Sequence, residues 1–207
     1  NGTEQEQKTK RWQYYKAHYF DNINLANPSF LRTNFLYNKV KYYVDKLTVQ
    51  QPDSIAVSID YILSKMKPAK ETYKNYIINF LNEYAASTRM GMDAVYVHVI
   101  DKYYASGKAT WADASQVKKL IDAANALKPT LIGNNAPNIS LIDSNEKQLR
   151  LHDINAKYTA MIFWTKECSY CKDSFEEFKK YKQQLDNYGV KIVSVCSDNN
   201  TNWIQNI

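Results

Sequence analysis

Apolar residues recur at spacings of three and four through the first 128 residues, and no other feature of the sequence limits the fold as strongly. Segment 71–86 is the clearest case, because its apolar and aromatic side chains all fall on one face of a helix. A helix buries such a face against its neighbours, so several in succession predict a helical bundle. Five stripes follow the pattern: Leu36, Val40, Tyr43, Val44 and Leu47; Ile55, Ile59, Ile62, Leu63 and Met66; Tyr73, Tyr76, Ile77, Phe80, Leu81 and Tyr84; Met92, Val95, Tyr96, Val99, Ile100 and Tyr103; Val117, Leu120, Ile121, Ala124 and Leu127.

Residues that break helices are scarce. The 207 residues include 5 Gly, 5 Pro and 17 Tyr, a balance that favours long helices joined by short turns. The helical segments do not repeat at a fixed length, which argues against a solenoid. We therefore predict an all-α domain over residues 8–128, in which the stripes form a core rather than a ligand groove.

The pattern changes near Pro129. Residues 133–138 are rich in turn formers and indicate a linker. Segments 139–142 and 148–151 then suggest a short hairpin, and 158–164 and 190–195 are compact apolar runs typical of buried strands. Between these two runs, 169–185 has helical periodicity, so the order predicts a parallel strand–helix–strand unit. Residues 199–207 resemble the start of a further helix. The fold class is α+β overall, with a partial α/β unit over 130–207.

Two of the three cysteines, Cys168 and Cys171, form a C-x-x-C pair between the first apolar strand and the helix that follows it. Unpaired N–H groups and the helix dipole stabilise a thiolate at a helix N-terminus, which makes it a better nucleophile at neutral pH. A second cysteine one turn later can then resolve a mixed disulfide. We predict Cys168 as the attacking thiol, more exposed, and Cys171 as the resolving thiol, more buried.

Neighbouring residues complete the predicted site. Trp164 and Tyr170 would form an apolar rim around the cysteines, and Lys166 would add positive charge that Glu167 partly opposes. Cys196 falls in the second strand and is interpreted as a buried apolar residue.

Other interpretations of the cysteines have less support. Two structural core cysteines would have to coincide with a helix start by accident. A structural zinc site needs four ligands, and His18, His98 and His152 lie far apart in sequence, so we expect no metal. No cofactor is expected either.

Charge and hydropathy exclude two further classes of partner. The net charge is +6, with acids and bases mixed along the chain rather than gathered in a basic patch. The short basic stretch Lys8–Arg11 beside Trp12 lacks a nucleic-acid-reading motif, so we expect no nucleic-acid partner. No run of about 18 apolar residues is present to span a membrane.

The residues of the second part resemble the TlpA/ResA type of thioredoxin-like protein over about 130–207. The resemblance lies in Gly133-x-x-Ala136-Pro137-x-Ile139-x-Leu141-x-Asp143, Phe163-Trp164-x-x-x-Cys168-x-x-Cys171 and Val190-x-Ile192-Val193-x-Val195. It implies an envelope thiol–disulfide oxidoreductase that acts on protein thiols, with the leader and any membrane tether outside this chain. The tyrosine-rich helical part, with Tyr19–Asn24, Gly91–Asp93 and Trp111, resembles the helical domain DUF5106 of Bacteroidetes envelope proteins.

Several family features are missing. The last proline is Pro137, so the cis-proline that faces the cysteines in thioredoxins is absent, as are the later strands of the fold. We therefore expect a truncated chain. Glu176 stands where the family often has a helix proline, and Ile162 where some members have a buried acid. Thr165 gives the T-x-x-C of peroxiredoxins, but Met161 replaces their proline.

We predict a thiol–disulfide oxidoreductase that uses Cys168 and Cys171. The alternative is a non-catalytic envelope binding module, in which the helical domain recognises a protein or glycan and the thioredoxin-like part is structural. The missing cis-proline and acid favour this alternative. Neither the physiological partner nor the oligomeric state follows from the sequence.

Overall fold

The computed structural model of the chain describes residues 3–143, 145–165 and 167–197, apart from the side chains of residues 169, 172 and 173. It divides into two units, Asn1–Ala136 and Pro137–Ile207. The division falls within the turn-rich segment that we interpreted as a linker. The domain limits 8–128 and 130–207 stay a prediction, and the helix predicted over 199–207 lies outside the described residues.

Helices make up the regular structure described in the first unit. Residues Pro28–Arg32 and Lys128–Thr130 form short 3-10 turns, and Ile100–Ala105 forms a π-helical turn directly after the fifth helix. The α-helices are α1 (Glu4–Ala17), α2 (Asn34–Lys46), α3 (Pro52–Met66), α4 (Lys70–Ala85), α5 (Asp93–Val99) and α6 (Ala114–Leu127).

Local sequence explains where several helices begin. At α1, the Thr3 hydroxyl accepts a hydrogen bond from the Glu6 N–H, and the Glu6 carboxylate accepts one from the Thr3 N–H at 2.7 Å. This reciprocal pair satisfies two N–H groups that a helix start otherwise leaves unpaired. At α6, the Asp113 carboxylate caps the helix by accepting hydrogen bonds from the Ser115 and Gln116 N–H groups. Helix α3 starts with Pro52, whose missing N–H costs nothing at that position.

The core of the first unit is formed by the predicted stripes. Of the first four stripes named above, all side chains except Tyr73 and Tyr96 are buried together, and these two pack partly buried against the cluster. Leu36, Ile59 and Ile77 are fully buried. Burying one such side chain contributes about 1.5–3 kcal/mol to the free energy of folding, so the burial of this cluster stabilises the packing of the helices against each other. The α6 stripe is shallower, because only Ala124 of its members is fully buried.

The π-helical turn was not predicted from the sequence. An α-helical continuation would place Val99, Ile100 and Tyr103 on the apolar face. In the structure, Tyr103 and Tyr104 are both only 4% exposed, and Tyr104 packs edge-on against Trp111. A π turn holds an additional residue per turn, so two adjacent tyrosines can both reach the core.

The second unit contains the predicted hairpin and the predicted strand–helix–strand unit. Strands β1 (Ser140–Ile142) and β2 (Gln148–Arg150) pair antiparallel, while β3 (Tyr158–Trp164) and β4 (Val190–Cys196) pair parallel. Helix α7 (Ser169–Asn187) connects β3 to β4, and Gly189 follows its C-cap residue Tyr188 with a φ of +73°, in the left-handed region that glycine favours. The predicted α+β fold class is confirmed.

The burial predicted for this sheet was wrong. Tyr158 and Phe163 of β3 are 58% and 63% exposed, and Cys196, which we expected to be buried in β4, is partly exposed. In the described part of this unit, one helix packs on a two-stranded sheet, so much of the strand surface is uncovered. Among the described helices, none has both the length and the apolar composition to cross a membrane.

Candidate functional site

The two cysteines of the C-x-x-C pair lie at the start of α7. Strand β3 ends at Trp164, and Cys168 is the residue that caps the helix, with Cys171 three positions later in its first turn. Their sulfur atoms form a disulfide, with the Cα atoms 5.3 Å apart. The Cys171 N–H donates to the Cys168 carbonyl at 3.1 Å, and the Cys168 N–H donates to the Thr165 carbonyl at 3.2 Å. The junction therefore brings both sulfur atoms to one end of the helix.

The electrostatics of this helix end favour a negative sulfur. Helix α7 has 19 residues, carries no acidic side chain in its first turn and has no side-chain hydrogen bond at its cap. The N–H groups of the first turn and the helix dipole therefore act on Cys168 without an acid within that turn, although Glu167 directly precedes the cap residue. Both cysteines are partly exposed, so the predicted difference in their exposure stays a prediction.

Trp164 lies between the sheet and the helix. Its ring packs edge-to-face on Phe175 of α7, with the centroids 5.7 Å apart, and it is paired in register with Cys196 of β4. The Ser197 N–H donates to the Trp164 carbonyl at 3.0 Å. These contacts anchor the end of β3 directly before the cysteine segment. We did not predict that Phe175 contacts this site, although it lies within 169–185, the segment whose helical periodicity predicted α7.

The other described residues predicted for the site have no side-chain contact with the cysteines among the contacts described. Tyr170 is 84% exposed and Glu167 is exposed, while Lys166 lies outside the described residues. A rim formed by Trp164 and Tyr170 stays a prediction. Glu176 forms an exposed ion pair with Lys179 and has no contact with the cysteines among those described.

The first unit contains a polar cluster that sequence reasoning missed. The Asp60 carboxylate accepts hydrogen bonds from Lys102 Nζ at 2.6 Å and from the Tyr103 hydroxyl at 2.6 Å, and it lies 3.0 Å from His98 Nε2. Burial alone would raise the pKa of Asp60, but the hydrogen bonds from Lys102, Tyr103 and His98 outweigh it and lower that pKa. Burial and the bond to Asp60 raise the pKa of Tyr103. The sequence feature that could have revealed this cluster is Asp60 itself, an acidic residue that directly follows Ile59 of the apolar stripe of α3.

Within the described residues, no three His, Cys, Asp or Glu side chains are grouped closely enough to hold a metal ion. His98 and Asp60 form the pair described above, and His18 pairs with Asp21 at 2.6 Å on the surface.

Comparison with known proteins supports the two-part organisation. Residues 3–126 match the model of a domain of unknown function, DUF5106, and residues 132–206 match the model of the AhpC/TSA family. Over 63 residues the chain is 35% identical to the thiol-disulfide oxidoreductase ResA of Bacillus subtilis. That alignment covers 30% of this chain and 35% of ResA, so the chain spans about a third of that relative's length.

A solved structure extends the likeness over nearly the whole chain. A thioredoxin-like protein from Bacteroides caccae matches 93% of this chain and 70% of its own, with a TM-score of 0.66 and 16% identity. Identity this low shows the fold alone. The resemblance inferred from the sequence is confirmed, with a helical domain followed by a thioredoxin-like domain that is homologous to part of ResA. Since the DUF5106 model matches more than half of the chain, the protein belongs to the DUF5106 family and carries a thioredoxin-like domain after the helical one.

Proposed function

We propose that the protein is a thiol–disulfide oxidoreductase that exchanges disulfides with protein thiols through Cys168 and Cys171. The observation that carries this proposal is the disulfide between the cap residue and the first turn of α7. A helix start is where a cysteine thiolate is stabilised, and the i, i+3 spacing gives that thiolate a partner on the same helix end. Homology to part of a thiol-disulfide oxidoreductase supports the same chemistry.

The exchange proceeds in two balanced steps. In the reduced protein, the Cys168 thiolate attacks one sulfur of a substrate disulfide, forms a mixed disulfide and releases the other substrate sulfur as a thiolate. Cys171, after losing its proton to solvent, attacks the Cys168 sulfur and releases the second substrate thiolate. The protein is left with the Cys168–Cys171 disulfide, and two electrons have passed to the substrate. The reverse sequence oxidises a substrate dithiol.

The substrate would be a protein thiol or disulfide, and no cofactor takes part. Tyr170 lies between the two cysteines in sequence and is 84% exposed, so its ring is available to contact a bound chain. We place the protein in the cell envelope, because the TlpA/ResA-type proteins that it resembles are envelope proteins.

The experiment that tests this proposal detects the mixed disulfide between the protein and its substrate. The full chain is reduced, mixed with a disulfide-bonded substrate protein, quenched with an alkylating agent and analysed by mass. Cys171→Ser should accumulate a covalent complex through Cys168, since the resolving thiol is gone, and Cys168→Ser should form none. Cys196→Ser removes the remaining cysteine and is the matched control; it should exchange like the parent chain.

The same samples in glutathione buffers give the reduction potential of the pair. A reversible two-electron couple within the range of known oxidoreductases, about −120 to −270 mV, supports the proposal. If Cys171→Ser traps no complex, or the pair does not reduce reversibly in the folded protein, the oxidoreductase proposal fails. The binding-module interpretation would then replace it.

A further inference from the structure

The helical unit has a surface pocket of about 560 Å³ beside the Asp60 cluster. This volume lies within the range of small-molecule sites, about 300–1,000 Å³. Its walls combine tyrosine rings with lysine side chains, an arrangement that differs from the apolar packing elsewhere in the unit. Among the residues that line it are Asp60, Lys67, Tyr73, Lys102, Tyr103 and Lys108.

Asp60 fixes one side of the pocket. Its two carboxylate oxygens bind Lys102, Tyr103 and His98, with distances of 2.6 to 3.0 Å. Lys102 is therefore already neutralised by Asp60. The Tyr103 ring is held by its hydroxyl and packs edge-on against Tyr73, with the ring centroids 6.3 Å apart. Tyr103 is only 4% exposed and supports Tyr73 from below, so the partly exposed Tyr73 ring is the aromatic surface that the pocket offers.

The pocket has a surplus of positive charge. Lys67 and Lys108 also line it, and neither forms an ion pair with any residue in the described part of the chain. Lys108 is held in place, since its Nζ donates to the Lys102 carbonyl at 3.0 Å and lies 5.5 Å from the centre of the Tyr103 ring. One carboxylate thus faces three ammonium groups, and the two uncompensated lysines favour a negatively charged ligand.

The backbone at this place is unusual. Lys102 and Tyr103 both belong to the π-helical turn Ile100–Ala105. Such turns are rare and are frequently found at functional sites, because the widened turn directs side chains that a regular helix would place elsewhere. Here the turn brings the ammonium of Lys102 and the hydroxyl of Tyr103 to the same carboxylate.

We propose that this pocket binds a small organic anion, whose carboxylate or phosphate group is held by Lys67 and Lys108 and whose ring packs on Tyr73. The proposal is independent of the cysteine chemistry of the second unit. It assigns the helical domain a ligand-binding role of its own.

The test is a calorimetric titration of the full chain with four probes: phenyl phosphate, benzoate, inorganic phosphate and phenol. The first two share a ring and differ in the anionic group, so they distinguish a phosphate ligand from a carboxylate ligand. The last two separate the contribution of the charge from that of the ring. At least one of the two aromatic anions should bind saturably and more tightly than either inorganic phosphate or phenol.

Three variants test the assigned contacts. Lys67→Met and Lys108→Met should each weaken the aromatic anion by about tenfold, as expected for the loss of one charge-assisted contact. Lys119→Met is the matched control, because it removes the same charge from an exposed site on α6 and should leave binding unchanged. Tyr73→Leu should weaken the aromatic anion but not inorganic phosphate.

Thermal unfolding of each variant confirms that it is folded before it is titrated. The proposal is refuted if neither aromatic anion binds below about 10 mM. It is also refuted if phenol binds as tightly as the anions, or if Lys119→Met weakens binding as much as the two pocket variants do.

Discussion

Reduction of the Cys168–Cys171 disulfide should cost the protein little stability. The cysteines are three positions apart, so the bond closes a loop of only four residues. The chain-entropy estimate for such a loop is about 2 kcal/mol, compared with about 4.7 kcal/mol for a loop of 100 residues. Because α7 also holds this turn through the bond from the Cys171 N–H to the Cys168 carbonyl, the turn should persist in the dithiol form.

Urea unfolding of the full chain, oxidised and in excess phosphine reductant, measures this difference. Hydrogen exchange at β3 and β4 reports on the second unit separately. We expect the free energy of unfolding to fall by no more than about 2 kcal/mol, with both strands still protected. Cys196→Ser should show the same difference, since it leaves the disulfide intact. Loss of strand protection on reduction, or a drop above about 4 kcal/mol, would refute the reasoning and make the disulfide a structural element.

Three further substitutions, two of them with a matched control variant, test the packing and the electrostatics. Ile59→Ala should lower the free energy of unfolding by about 2–5 kcal/mol in urea titrations because its side chain is fully buried, whereas Val57→Ala, at a 67% exposed site on the same helix, should change it by less than about 0.5 kcal/mol. Gly189→Ala should lower the free energy of unfolding by about 1–2 kcal/mol because of its φ of +73°, and by more because the new Cβ would lie 3.1 Å from the Lys157 side chain. Gly107→Ala has the same φ and open space around it, so it measures the backbone cost alone. The pKa of Asp60 is lowered, so the stability that its ionised form contributes should be complete above the ordinary carboxyl pKa of 3.8 and be lost as the pH falls through the lowered pKa. Asp60→Asn should therefore flatten the pH dependence of the free energy of unfolding over this range. An unchanged pH dependence would contradict the assignment.

Sequence periodicity predicted most of the helical unit, because the spacing of apolar residues within one helix already determines which face that helix buries. Leu36, Ile59 and Ile77 were assigned to the core by spacing alone and are fully buried. The start of α1 was also readable, since Thr3 and Glu6 form the capping-box pattern, although we placed the domain start at residue 8. The C-x-x-C pair was located correctly because its spacing and its place before a helix are both local features.

Features that depend on distant contacts were not predictable in this way. Asp60 binds partners about 40 positions away, so no local pattern marked it. The π-helical turn depends on how Tyr103 and Tyr104 pack, and a period of 3.6 residues cannot represent it. Exposure of Phe163 in β3 depends on what covers the sheet, whereas an apolar run indicates only that a strand is suited to burial.

The π-helical turn also makes the length of this segment informative across the family. A π turn contains one residue more than an α turn, so deleting one residue of this turn ahead of Lys102 would allow the helix to continue in regular α form. The side chains beyond the deletion would rotate by about 100° around the helix axis. Lys102 and Tyr103 could then no longer meet the same carboxylate. Family members that are one residue shorter before Lys102 should therefore have a regular helix and lack this arrangement of side chains around Asp60.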